Sequence, residues 1–250
     1  MRIVIDEKKV KRQALFGRIA LFGSLAILLG GLALTLLGPQ FGLFSMDNLG
    51  TFYLIYTVIL VAGFAVSRVG MYYGNRYLAA GRPEMVLREH LKGLDRKYAL
   101  LVFKEPVDYL LIEPGGVTVL IIKTQAGKIA YKDGKWKSRQ GILSYWMGRD
   151  EPLGNPTNEA KEALTKVNAI LTEKAPSLKV NLRALIVFSN PKADLDLEPS
   201  PIPILRADDL KDYLRGEGKL RETPNSIQRQ VRAALNAPEL PTGEKPSEVK

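Results

Sequence analysis

No cysteine occurs anywhere in the chain, and histidine occurs once, at His90. The first absence excludes disulfides, thiolate metal sites and cysteine nucleophiles; the second leaves too little for a histidine-based metal centre or a Ser-His triad. Charge is missing as well, from two long stretches: none falls in Ile19 to Gly38 (IALFGSLAILLGGLALTLLG) or in Asn48 to Ser67 (NLGTFYLIYTVILVAGFAVS). About 20 helical residues at about 1.5 Å each cover a hydrocarbon core of about 30 Å, and a helix satisfies its backbone groups without water. Each stretch therefore reads as a transmembrane helix. The alternatives are a pair of buried core helices in a soluble protein and a cleaved signal peptide. The first stretch is longer than a signal h-region and runs out through Leu36-Leu37-Gly38-Pro39, as an anchor does.

Lysine and arginine are absent from the connecting loop GPQFGLFSMDNLG, whose only charge is Asp47. By contrast Arg2, Lys8, Lys9, Lys11, Arg12 and Arg18 precede the first stretch, and Arg68, Arg76 and Arg82 follow the second. The positive-inside bias then predicts a multi-pass protein of the cell inner membrane or plasma membrane with both termini cytoplasmic. The expected segments are a basic N-terminus at 1–18, helices at 19–38 and 51–73, and a short external loop at 39–50. Tyr72, Tyr73 and Tyr77 alternate with Arg68 and Arg76 as in an interfacial belt. Gly70 with Gly74, and Gly63 with Ser67, give small-xxx-small spacings that pack within the hairpin more simply than against another copy. The lipid bilayer is thus the first partner. The net charge of +10 divides into +4 over residues 1–18 (six basic, two acidic) and +6 over residues 74–250 (29 basic, 23 acidic). The second share suits DNA or RNA, anionic lipid headgroups or a solvated surface.

Beyond the apolar stretches, Pro83 and Glu84 open a helix with Leu87, Leu91 and Leu94 on one face. Strands follow at Tyr98–Phe103, Val107–Ile112, Val117–Lys123 and Gly127–Tyr131, with turns at Pro114-Gly115-Gly116 and at Asp133-Gly134, which leads into Lys135-Trp136-Lys137. A helix is predicted from Asn158 to Lys174, a strand at Leu182–Phe188, another at Ile202–Leu205, and a helix from Asp208 to Arg215. The order αββββαββα, with apolar runs in LLVF, VLIIK and ALIVF, predicts a mixed central sheet flanked by helices over residues 81–216. A basic helix through Arg229 and Arg232 is expected within 223–236. Residues 237–250, rich in Pro, Glu and Lys, are expected to be a disordered tail.

The segment VDYLLIEPGGVTVLIIKTQAGKIAYKDGKWK (107–137), with the upstream Glu84 helix and the downstream Asn155-Pro156 helix and LIVF strand, resembles the nuclease-related domain called NERD over roughly residues 81–190. Two preceding membrane helices also resemble the arrangement in some bacterial members. The resemblance implies a PD-(D/E)XK nuclease fold in which an Asp opening one strand and an acid-x-Lys triplet on the next converge, joined by a helix Glu. Two carboxylates then hold Mg or Mn, which polarises the phosphate and activates water, while the Lys offsets developing charge. Glu84, Asp108 and Lys123 fall on those positions, with Asp108 as the metal ligand, but the place of the acid is taken by Ile121. Glu113 lies an odd number of residues from Asp108, on the opposite strand face, and does not replace it.

The expectation is a catalytically impaired domain that binds nucleic acid and needs no cofactor. One alternative is an active, divalent-metal-dependent nuclease with a relocated acid, the only case that calls for Mg or Mn. Another is a non-enzymatic scaffold or lipid-surface module. Each residue also has a plainer role: Lys123 as a solvated strand terminus, Asp108 as a strand-edge polar group, Glu84 as a helix N-terminal charge. Trp136 and Trp146 suit packing better than base stacking.

Overall fold

The computed structural model describes residues 1–38, 40–42, 49–78, 83–139 and 152–240. Most of the connecting loop with Pro39 and Asp47, the flank residue Arg82, the aromatic pair Tyr145 and Trp146, and residues 241–250 of the expected tail lie outside the described residues. The chain divides into two units, one built on Glu7–Arg82, the other from Met1–Asp6, Pro83–Ile142 and Asp150–Lys250.

The first unit is an antiparallel pair of helices, α1 (Glu7–Leu37) and α2 (Leu49–Tyr77). Both are long and apolar enough to cross a membrane, and only 17% and 6% of their most apolar windows are buried. Such windows are unlike the core helices of a soluble protein, whose apolar faces are covered. What is buried is small. Gly17, Ala20, Ser24 and Gly31 line the inner face of α1, and Gly63, Gly70 and Tyr77 that of α2. Gly17, Ser24 and Gly31 recur every seven residues, as do Gly63, Gly70 and Tyr77, a 3.5-residue period that keeps the seam facing inward only if the helices wind around each other left-handedly. A Cβ on Gly70 would stand 2.8 Å from the Leu21 backbone nitrogen, and one on Gly63 2.6 Å from Leu28 Cδ2. The expectation of packing within the hairpin thus holds for both glycines, while the matching small residues of α1 went unread. Hydroxyls on these helices bond their own backbone: Ser24 Oγ donates to Leu21 O at 2.8 Å and Thr57 Oγ1 to Tyr53 O at 2.7 Å.

This seam gives a direct prediction. Gly70→Ala should lower the thermal midpoint of the full chain in detergent, because overpacking against backbone costs about 1–3 kcal/mol. Gly30→Ala, where nothing stands within 4 Å, should leave it unchanged or raise it. Equal effects at the two positions would contradict the seam.

The second unit holds a six-stranded mixed sheet in the order β1-β2-β3-β4-β7-β9 and a three-stranded sheet in the order β6-β5-β8. Its elements are β1 (Arg2–Ile5), α3 (Pro83–His90), β2 (Ala99–Val102), β3 (Tyr109–Glu113), β4 (Gly116–Lys123), β5 (Gly127–Lys132), β6 (Lys135–Arg139), α4 (Pro156–Lys174), β7 (Asn181–Phe188), β8 (Ala193–Leu197), β9 (Ile204–Arg206), α5 (Ala207–Arg215) and α6 (Asn225–Ala234). The apolar runs in β2, β4 and β7 are interior strands, as read. α4 starts two residues earlier than expected because Asn155 caps it, accepting from Asn158 N at 3.1 Å, with Pro156 in the first turn. The Asp133-Gly134 turn has φ of 49° and 73°, the left-handed pair that joins twisted strands directly.

Several expectations are corrected. Residues 1–18 are not one basic segment: Arg2–Ile5 pair in parallel with β2, and Glu7 already begins α1, so that helix starts well before Ile19. Four residues whose side chains alternate at an edge carry too short a pattern to read as a strand. β8, missed altogether, pairs with β5 through Asp194 and Asp196, acids that disfavour strands in isolation. The helix at 225–234 is not a basic face, since Arg232 is buried and donates to the carbonyls of Lys97 and Pro238. Burial lowers the pKa of its guanidinium. The tail does not begin at 237: Arg232 donates to Pro238 O at 2.7 Å and Arg2 to Glu239 O at 3.0 Å. Pro114-Gly115-Gly116 is a tight turn as read, but its glycines are required by close approach. A Cβ on Gly116 would lie 2.3 Å from Asn181 O, and one on Gly115 2.6 Å from Arg221 O.

Candidate functional site

Antiparallel pairing sets β3 against β4 with Leu110 opposite Val119 and Leu111 opposite Thr118. The pairing ends at Leu110 opposite Val119, and continuing it by two residues would set Asp108 opposite Ile121. Strand alternation then puts Ile121 and Lys123 on one face. Val117, Val119 and Ile121 on that face pack in the core with Ala160, Ala163 and Val167 of α4. Asp108 is half-buried just ahead of β3, and its carbonyl accepts from Phe103 N at 2.6 Å. Ile121 offers hydrocarbon where a ligand oxygen would stand.

Lys123 is not a solvated strand end. It is 7% exposed, and its Nζ donates to Glu159 Oε1 at 2.8 Å, Glu159 Oε2 at 2.9 Å and Leu153 O at 2.8 Å. Three acceptors match the three protons of an ammonium. Gly154 closes over the pair: its φ is 66°, and a Cβ there would meet Glu159 Oε1 at 2.8 Å. Glu159 comes from the first turn of α4, where the helix dipole favours an acid. Sequence reasoning passed over it; its signal is an acid one residue from the buried stripe Pro156, Ala160, Ala163, directly after a capping Asn-Pro.

No family model matches this chain, nor does any curated protein or solved structure.

Glu84 is buried in the first turn of α3, which packs on α5. α5 lies on the other side of the sheet from α4. Glu113 points to that side too. It is 3% exposed, accepts from Thr118 Oγ1, and is held by Arg183 Nη2 at 2.9 and 3.1 Å. Arg183 also donates to Thr118 Oγ1 at 2.8 Å and Gly218 O at 2.6 Å, and lies over the Tyr213 ring at 5.7 Å. Burial pushes the Glu113 carboxyl above the usual carboxylate range, against the opposing pull of Thr118 and Arg183. Glu113 is thus engaged on the face away from Asp108, as its odd spacing implied. The Thr118–Arg183 partnership was not foreseen, although a lone cation inside the apolar run LRALIVF needs an acid.

A divalent cation does not fit this donor set. Asp108 supplies one carboxylate, Ile121 none, and both oxygens of Glu159 are held by Lys123, whereas hard cations require several oxygens. Trp136 packs on Tyr131 and Phe188 at centroid distances of 4.9 and 6.1 Å and donates to Thr157 Oγ1 at 2.9 Å, the packing role expected of it.

Proposed function

We propose that this chain is a membrane-anchored protein whose α/β unit is a nuclease-related domain that binds nucleic acid at the cytoplasmic face without cutting it. The observation that carries the reading lies at the end of β4: hydrocarbon at Ile121, two residues before a lysine whose charge is already offset by Glu159. A lysine so engaged does not stabilise a phosphate in its transition state. The topology is supported by connectivity. β1 precedes α1 and pairs with β2, which follows α2, so both ends of the helical hairpin run into one sheet. A spanning hairpin of this kind keeps both ends on one side, and the Lys and Arg bias assigns that side to the cytoplasm. Nucleic acid is the ligand favoured by the resemblance and by the +6 charge beyond residue 73.

The test uses the full chain in detergent, because a fragment beginning after α2 would lack β1. Wild type, Asp108→Ala and Lys123→Ala are incubated with DNA and RNA, with and without Mn2+. The expected result is binding without cleavage, weakening more than about tenfold between about 50 and 200 mM salt as counterion release requires. Mn2+-dependent cutting by wild type that both substitutions abolish would instead establish an active nuclease with a relocated acid.

A further inference from the structure

We propose that the charged ends of α1 and α2 form a rigid collar that binds anionic phospholipid headgroups. The inference rests on the membrane reading of the hairpin. Between Glu7 and Arg18, α1 carries five basic residues and one acid, and between Arg68 and Tyr77 α2 carries two basic residues and none. Glu7 is occupied by Lys11 at 3.6 Å. Lys8, Lys11, Arg12 and Arg18 are exposed.

The helices stay in contact through this zone. A Cβ on Gly17 would stand 3.0 Å from Tyr73 Cβ and 3.2 Å from Gly74 N. Phe16 meets Tyr73 edge-on at 4.9 Å, Tyr73 stacks on Tyr77 at 6.2 Å, and Arg76 lies 5.9 Å over Tyr72, bonding its hydroxyl at 3.2 Å. Arg76 is thus held against an aromatic cluster of the kind that belongs at a membrane interface.

Depth selects the ligand. Ile19 and Phe22, 61% and 71% exposed, begin the uncharged apolar surface of α1 directly after Arg18, and Leu15 and Phe16, 57% and 48% exposed, stand one turn before it. With Ile19 and Phe22 in hydrocarbon, Arg18 lies in a headgroup layer about 5–7 Å thick. At about 1.5 Å per residue, Arg12 stands about 10 Å and Lys8 about 16 Å from Ile19. Lipid phosphates are the anions at that depth, and a screening length of about 8 Å brings the outer cations partly within reach. A nucleic acid would meet the bilayer before it met Arg18.

The experiment reconstitutes the full chain into phosphatidylcholine vesicles with about one quarter phosphatidylglycerol and measures spin-labelled lipid at its surface, with flotation read on the same samples. Each cation near an anionic surface favours it by up to about fivefold, so the wild type should enrich phosphatidylglycerol over phosphatidylcholine by about five- to tenfold at low salt, collapsing in high salt. Combined Lys8→Gln, Lys11→Gln, Arg12→Gln and Arg18→Gln should bring the ratio close to one, while Lys128→Gln, Lys135→Gln and Lys137→Gln on the small sheet should leave it unchanged. A wild type that floats with the vesicles but shows no enrichment overturns the collar alone; a chain that does not float overturns the membrane reading with it. Loss of enrichment in the small-sheet variant, or loss of duplex DNA retention but not of lipid enrichment in the collar variant, also overturns the proposal.

Discussion

Arg183→Leu should destabilise the α/β unit by about 3–5 kcal/mol, because it leaves the carboxylate of Glu113 buried without its partner. For a unit of this size that corresponds to a fall of about 10 °C in the thermal midpoint. Glu113 is 2% exposed at its side chain, so water cannot replace the lost guanidinium. The deficit should depend on pH in a definite direction. A carboxyl whose folded pKa is raised holds a proton that the unfolded chain has already released, so its contribution is full below the ordinary carboxylate value and is lost as pH rises through the folded one. Without Arg183 the folded pKa rises further, and the variant should recover towards wild type on acidification. Removing the whole cluster with Glu113→Leu, Thr118→Val and Arg183→Met should cost far less than Arg183→Leu, since an apolar replacement leaves no orphaned charge. Chemical denaturation of the three proteins at two pH values checks all three statements. A triple variant as unstable as the single one would show that the cluster stabilises by more than mutual neutralisation.

Ile121→Glu probes the other face of the same sheet. Without metal it should lower stability by about 2–4 kcal/mol, since it removes core hydrocarbon and places a carboxylate where only Lys123, already bound to Glu159, can answer it. If Asp108 stands opposite, the new acid completes a pair of carboxylates, and saturating Mn2+ should return about 2–3 kcal/mol at a hundredfold excess over its dissociation constant. Wild type, with hydrocarbon at that place, should not move. Thermal melts with and without Mn2+ read both effects. An Mn2+ response in neither protein would mean that Asp108 and position 121 do not converge, and the nuclease-like reading of this sheet would lose its geometric support.

The sequence alone determined the features that repeat over many residues. Two uncharged stretches long enough to span, the alternation of helices and strands after Pro83, the Asp133-Gly134 hairpin and the apolar interior strands all follow from local composition and period, which act within a few residues of chain. It also placed Ile121 on the Lys123 face and Glu113 off it, since strand alternation is a local rule. Only the tertiary structure could decide which distant groups meet. β1 exists because β2 offers it an edge nearly a hundred residues later, and β8 because β5 does. Lys123 looked like a free strand end until α4 brought Glu159 to it, and Arg183 looked like an interruption until β3 and β4 carried Glu113 and Thr118 alongside. Buried charges must be paired, but the partner is fixed by the register of strands and the docking of a helix, and neither is written in the residues nearby.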